Sequence, residues 1–221
     1  MRKSKISKKF QLSELSAVFK DTKKLVLLGV LSALGAILML IEIPYPPAPF
    51  LKFDLSDLPI LLVAQSLGLW PAVIASIIKS LVSLMVRGMN SPLGIGLITA
   101  AISSIALSCL YVGTSKFIKG TKWSQKVLRF IIVISIYSLF MTICNYLFIT
   151  PIFLGGLWYT DVSHWVTLND FMPNTSLALG YAETIAFIYI PFNALKGFIV
   201  LCLYEMISSR LLRELNRILN R

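Results

Sequence analysis

The chain has 221 residues, of which 57% are hydrophobic and only 14% are charged, and its mean hydropathy is +0.80. A soluble domain is closer to half apolar and a quarter charged, so this composition excludes an ordinary soluble fold and indicates a membrane protein. The formal charge of +11 does not indicate nucleic-acid binding, because the basic residues flank apolar runs and form no patch with interleaved aromatic residues.

The first apolar run follows a basic segment, residues 1–24. The run lacks the small-residue cleavage site of a signal peptide and is long enough to span, so both are expected to stay in the mature protein. The run covers residues 25–43, close to the roughly 20 residues that cross a bilayer as a helix. The proline-rich sequence of residues 44–49 then removes backbone donors, so we predict an ordered loop there.

Five further apolar runs predict the remaining helices. They cover residues 58–67, 72–86, 93–112, 127–149 and 184–207. The second run is short and is also compatible with a re-entrant segment. The predicted fold is therefore all-α, an integral membrane bundle of six transmembrane helices over residues 25–209, followed by a basic amphipathic tail over residues 210–221.

The distribution of basic residues predicts the orientation. Eight Lys and Arg residues precede residue 25, five lie between residues 116 and 129, and four lie in residues 210–221. The long segment of residues 151–183 has none. The positive-inside rule then places both termini in the cytoplasm of a cell-membrane protein, with residues 44–57 and 151–183 outside.

Two lysines inside apolar spans are the first candidate ligand-binding residues, because a charge in a bilayer normally faces a cavity or a partner. Lys79 lies near the middle of its span, where structural pairing or snorkelling to an interface is an equally good interpretation. Lys196 follows Asn193 by three residues and therefore shares its helix face, next to Pro191. Together Asn193 and Lys196 offer a small solute one amide and one ammonium.

The predicted outer half of the membrane holds further candidates. Asn145 ends the fifth apolar run, and it is equally suited to hydrogen-bonding between helices. Lys52, Phe53 and Asp54 lie in the outer loop, which we expect to close over a pocket. Asp57 directly precedes Leu58-Pro59, so we predict that it caps the second helix.

Small residues recur on the first span at helical spacing, at Gly29, Ser32, Ala33 and Ala36. Such a stripe lets another helix approach closely, which suits either internal packing or docking of a partner membrane protein.

Catalytic signatures are absent from the sequence. It has no phosphate-binding loop of the form GxxxxGK[ST], a single histidine, His164, and no metal-ligand spacing. We therefore predict a protein that is not an enzyme, needs no cofactor, and takes any energy from ATP through other chains.

Three motifs carry a family resemblance: FLKFDLSDLP at residues 50–59, NYLFITP at residues 145–151, and PFNALKG at residues 191–197. With these motifs the chain resembles the substrate-binding S components of energy-coupling factor (ECF) vitamin transporters, and most of all the riboflavin-specific type. The resemblance implies a vitamin site near the outer face, with Asn145, Asn193 and Lys196 at positions that contact the flavin. It further implies an ECF transmembrane coupling protein and two ATPase subunits as partners, with the small-residue stripe as the docking face.

Alternatives to riboflavin remain open at this stage. The start of the fourth helix, residues 94–99, has no carboxylate or amide, whereas riboflavin members often carry polar residues there. An anionic vitamin such as pantothenate would give Lys196 an electrostatic purpose. A membrane scaffold without a solute would use the stripe and the tail alone, and a membrane enzyme would need an acid or base such as Glu42 or Asp57.

Overall fold

The computed structural model describes residues 16–89, 91–118, 123–172, 177 and 179–219, without the side chains of residues 216 and 218. Most of the basic N-terminal segment and part of the basic sequence before the fifth span lie outside the described residues.

Long apolar helices dominate the fold. In chain order the helices are α1 (Thr22–Leu40), α2 (Asp57–Ser66), α3 (Leu69–Arg87), α4 (Ile95–Phe117), α5 (Trp123–Cys144), α6 (Thr150–Phe153), α7 (Tyr159–Val162), α8 (Leu168–Phe171) and α9 (Tyr181–Leu219). A π-helical segment, Asn145–Ile149, joins α5 to α6, and a 3₁₀ turn, Pro92–Gly94, precedes α4. The tail predicted after residue 209 continues α9 as one helix.

The described fold is mostly helical, as predicted, but the proline-rich segment after α1 forms a β-hairpin, so the prediction of a loop without strands here was wrong. Strand β1 (Ile43–Tyr45) pairs antiparallel with β2 (Ala48–Phe53). Proline is tolerated because a two-stranded sheet consists of edge strands, whose outward positions need no backbone donor, and because the fixed φ of proline suits extended chain.

The second apolar run forms only a short helix, so the structure does not confirm the prediction of six transmembrane helices. Of the described helices, five are long and apolar enough to cross a membrane: α1, α3, α4, the continuous α5–α6 segment and α9. The 10 residues of α2 reach only about 15 Å, half of a hydrocarbon core of about 30 Å. Its first residue, Asp57, contacts Lys79 and Ser104, near the middle of α3 and α4. Strand β2 therefore leads the chain into the bundle, and α2 completes the crossing.

Ion pairs and hydrogen bonds show which helix ends lie together. Arg87 at the end of α3 pairs with Glu42 just after α1, so α1 and α3 run in the same direction. At the other end, Tyr111 of α4 and Arg129 of α5 both contact Glu205 in the second half of α9. Because α4 runs back along α3, the start of α1 and the end of α9 lie at the same end of the bundle.

Two apolar clusters hold the bundle together. The first surrounds α2, whose Ile60, Leu61 and Val63 are fully buried among the long helices. The second lies at the hairpin end, where α7, α8 and the start of α9 pack over Ala48 of β2. The segment between α6 and α9 thus covers the hairpin and fixes the position of β2 above α2.

Candidate ligand-binding cavity

A cavity of about 270 Å³ lies between the hairpin and the helices. One wall belongs to α3 and the start of α4, the opposite wall to α5, α6 and α9, and β2 contributes Phe50, Leu51 and Lys52. The volume is near the lower end of the range for small-molecule sites. Polar and apolar residues line the cavity in about equal number, so it offers many more hydrogen-bonding groups than a typical apolar site.

Two asparagine side chains on one wall present amide groups to this cavity. Asn145 and Asn193 are both buried, and each donates from Nδ2 to the carbonyl four residues earlier, of Met141 and Tyr189, at 2.8 Å. An amide has two donor hydrogens and one acceptor oxygen. Neither Oδ1 accepts a hydrogen bond from a described residue, so each asparagine retains an acceptor and a second donor.

The π-helical turn explains how Asn145 reaches its position. Pro151 has no N–H, and in a regular helix its ring would clash with the carbonyl of residue 147. The helical turn before this proline contains one extra residue, so the Thr150 N–H donates to the carbonyl of Asn145, five residues earlier. Single π turns of this kind are frequent at functional sites.

Four charged residues form a network at the floor of the cavity, which we call the floor network: Asp54 and Lys196 line the cavity, and Asp57 and Lys79 lie buried behind them. Lys196 Nζ lies 3.1 Å from Asp54 Oδ2 and 3.2 Å from Asp57 Oδ2. Lys79 Nζ lies 3.2 Å from Asp57 Oδ1 and also donates to Ser104. With two positive and two negative charges, the floor network is neutral, as buried charges require.

The position of Asp57 corrects the capping prediction. The N-cap residue of α2 is Ser56, and Asp57 is the first helical residue, with 1% of its surface exposed. Asp54 supplies the local hydrogen bond instead, because its Oδ1 accepts from the Ser56 N–H at 2.9 Å. Asp57 serves the two lysines, Lys79 and Lys196.

The mouth of the cavity carries a second charged group, the rim network of Glu42, Lys52 and Arg87. Glu42 pairs with Lys52 at 2.7 Å and with Arg87 at 2.5 Å, and Arg87 also donates to the carbonyl of Leu40. The Lys52 side chain is 51% exposed, which places this network at the opening. It connects β2 to the ends of α1 and α3.

The structure brings most of the predicted ligand-binding residues together, although nothing bound here tests their roles. Five of them line the cavity: Asn145, Asn193, Lys196, Lys52 and Asp54. Two do not. Phe53 stacks on Phe192, with ring centroids 4.8 Å apart, and Lys79 lies behind the floor with no exposed surface.

Sequence reasoning missed the contributions of Glu42, Ser83 and Arg87 to this cavity. Each is a single polar residue within or beside an apolar run and has no local motif. The start of α4 had been noted for its lack of carboxylate and amide groups. It supplies Ile95, Gly96, Leu97 and Thr99 to the cavity wall, and Thr99 is the polar residue among these four.

The predicted docking stripe on α1 is divided between two faces. Gly29 and Ala33 are exposed on the outside of the bundle, with open space around Gly29. Ser32 and Ala36 are buried, and Ser32 donates to the carbonyl of Leu28 at 2.6 Å. Only the first pair is available to a partner, so a docking role for the stripe stays a prediction for that pair.

A bundle of apolar helices around a polar-lined cavity defines the class of protein, a membrane-embedded substrate-binding component. Residues 23–208 match the family described as the substrate-specific component of ECF transporters, and the chain belongs to this family. It is therefore a transport component with several membrane-spanning helices and not an enzyme.

Among curated proteins, the chain is similar to the riboflavin transporter FmnP of Bacillus subtilis (strain 168), with 26% identity over 192 residues, which cover 86% of this chain and 92% of that protein. It is also 26% identical to the riboflavin transporter RibU of Staphylococcus aureus (strain TCH60) over 200 residues, or 90% and 95% of the two chains. The solved S component of a bacterial ECF transporter matches with a TM-score of 0.62 at 20% identity, over 88% of this chain and 98% of that one, which supports the fold.

Proposed function

We propose that this chain binds riboflavin outside the cell and delivers it for uptake as the S component of an ECF transporter. The observation that carries the proposal is the pair of buried asparagines, Asn145 and Asn193, which face one cavity with unused hydrogen-bonding groups. The relatives described as riboflavin transporters support the same ligand.

The chemistry of a flavin suits this wall. The pyrimidine-like edge of an isoalloxazine ring presents a donor between acceptors, and an asparagine amide meets both kinds of group. The remainder of the ring is flat and apolar. Phe50, Met141, Ile149 and Phe153 line the same cavity and provide apolar contact for it.

The floor network, unlike the rim network with its two cations and one carboxylate, offers an anionic ligand no free charge. Lys196 is already within 3.2 Å of two carboxylates, so its charge is compensated inside the protein. A carboxylate ligand such as pantothenate would bring a further negative charge next to Asp54 and gain no free cation on the floor. Riboflavin carries no charge at neutral pH and avoids this repulsion.

For orientation, we infer that the bundle end holding the start of α1 and the end of α9 faces the cytoplasm. The basic residues support this orientation, since one basic segment leads into the start of α1 and another lies at the end of α9. The cavity then opens to the outside beneath the hairpin. Uptake would depend on an ECF transmembrane coupling protein and two ATPase subunits, because this chain has no phosphate-binding loop of its own.

Titration of the purified protein with riboflavin, followed by flavin fluorescence, tests the ligand. We expect saturable quenching at one flavin per chain, no displacement by excess pantothenate, and binding about three- to tenfold weaker in each of Asn145→Leu and Asn193→Leu. Flavin fluorescence that stays unchanged at micromolar ligand, or quenching that pantothenate reverses, would overturn the proposal.

A further inference from the structure

One face of α3 carries three polar residues at intervals of four, Lys79, Ser83 and Arg87. Each step of four residues rises by about 6 Å along a helix and stays on the same side. Lys79 belongs to the floor network and Arg87 to the rim network, so Ser83 lies between them at mid-depth. Ser83 also lines the cavity.

The two charged neighbours are fully paired, but Ser83 is not. Its surface is 1% exposed, and its Oγ has no hydrogen-bond partner among the described residues. The other buried serines on this part of α3 are paired, because Ser76 and Ser80 donate to the carbonyls of Ala101 and Leu97 of α4 at 3.0 and 3.2 Å. A buried hydroxyl without a partner is costly and needs an explanation.

Ser83 differs from the other buried hydroxyls without a partner because it lines the cavity. Within the described part of the chain, Ser108 and Thr142 also have buried hydroxyls without partners, but neither lines the cavity. Those two hydroxyls lie within helix packing. The Ser83 side chain lines the cavity, and rotation about its single χ1 angle redirects the buried hydroxyl towards the cavity.

We propose that the Ser83 hydroxyl binds a hydroxyl group on the polyol side chain of the ligand. This inference rests on the proposed function. Helix α3 packs against α1, α2 and α4, whereas Asn145 and Asn193 lie on the opposite wall formed by α5 and α9. A flavin whose ring edge meets the two asparagines directs other substituents across the cavity towards α3. A serine hydroxyl both donates and accepts, which matches an alcohol group.

The test compares riboflavin with lumiflavin, which has the same ring system and a methyl group in place of the ribityl chain. In Ser83→Ala we expect riboflavin binding about three- to tenfold weaker, the value of one neutral hydrogen bond, and lumiflavin binding unchanged. Ser108→Ala is the matched control, since it removes a buried, unpaired hydroxyl from α4 outside the cavity. It should bind both flavins as the wild type does.

Thermal unfolding of the ligand-free protein separates binding from structure. Ser83→Ala removes a polar group without a partner, so its unfolding temperature should equal or exceed that of the wild type. Ser83→Cys keeps a similar volume with a weaker hydrogen-bonding group and should weaken riboflavin binding in the same direction, which provides a second variant if Ser83→Ala does not fold.

Three outcomes would overturn the inference while leaving riboflavin binding by the wild type intact. They are riboflavin binding unaffected by Ser83→Ala, equal weakening of riboflavin and lumiflavin, and equal weakening of riboflavin by Ser108→Ala. If the wild type binds neither flavin, the proposed function itself fails, and the inference fails with it.

Discussion

The two buried lysines share one carboxylate but have different surroundings. Lys196 contacts Asp54 and Asp57 and lines the cavity, whereas Lys79 contacts Asp57 and Ser104 and lies behind the floor. Under the proposed function, Lys196 would contact the ligand and Lys79 would support the floor from behind. The sequence already favoured Lys196 as the stronger candidate, because it shares a helix face with Asn193, but it gave no partner for either lysine.

Replacing each lysine by methionine, which keeps the length of the side chain and removes the charge, should therefore give different results. We expect Lys196→Met to weaken riboflavin binding more than Lys79→Met. We expect Lys79→Met to lower the unfolding temperature more, since breaking a fully buried ion pair costs about 3–5 kcal/mol. Fluorescence titration and thermal unfolding of both variants measure the two effects. Equal binding in both variants would show that the cavity floor does not contact the ligand.

At the scale of the element, the π-helical turn before Pro151 determines where Asn145 points. Pro151→Ala restores an N–H that can bond to the carbonyl of residue 147, so the segment can return to regular α-helix. The Asn145 side chain would then rotate away from Asn193, and we expect riboflavin binding about three- to tenfold weaker. Fluorescence titration of the variant measures this loss.

Pro191→Ala is the control for that prediction. Pro191 lies within α9, two residues before Asn193, but the helix around it is regular and Pro191 itself is exposed. We expect its replacement to leave riboflavin binding close to that of the wild type. An equal loss of riboflavin binding in Pro151→Ala and Pro191→Ala would show that both prolines act through the general geometry of their helices and that the position of Asn145 is not the cause.

Local patterns predicted the parts of this fold that depend on sequence neighbours. Hydropathy located the start of every long helix within four residues, because a span must be apolar over its whole length, although α9 continues 12 residues beyond the predicted run. Asn145, Asn193 and Lys196 stood out as polar residues in apolar runs or at their ends. The hairpin was missed, because the prolines at positions 44 and 49 argue against a ladder unless both strands are edges.

The features that the sequence did not predict depend on contacts between residues that are far apart in the chain. The partners in the floor network are far apart in the chain, with Asp54 and Lys196 separated by 142 residues and Asp57 and Lys79 by 22. No spacing rule links such residues, so local reasoning assigned Asp57 to a helix cap. In the same way, Glu42 and Arg87 become neighbours only when α1 and α3 run in the same direction.

At the scale of the whole molecule, α1 and α3 run in the same direction, so the chain must return between them, although α2 has only 10 residues. Lys52 of β2 lies at the cavity mouth beside Glu42, whereas Asp57 at the start of α2 lies near the middle of α3 and α4. The few residues between them take the chain from the mouth to the middle of the bundle, and α2 continues from there with about 15 Å of helix. This path brings Asp54 and Asp57 beside the two lysines, which they neutralise.

The proposed orientation predicts which surfaces reagents can reach in living cells. In a variant whose three cysteines, Cys109, Cys144 and Cys202, are replaced by alanine, a single cysteine is placed at Thr160 or at Arg213, both exposed. A membrane-impermeant maleimide should label Thr160→Cys in intact cells and Arg213→Cys only after permeabilisation, because the basic end of the bundle faces the cytoplasm. Riboflavin binding by the purified variants serves as the control for folding. Labelling of Arg213→Cys in intact cells, with Thr160→Cys protected, would reverse the orientation and place the cavity mouth on the cytoplasmic side.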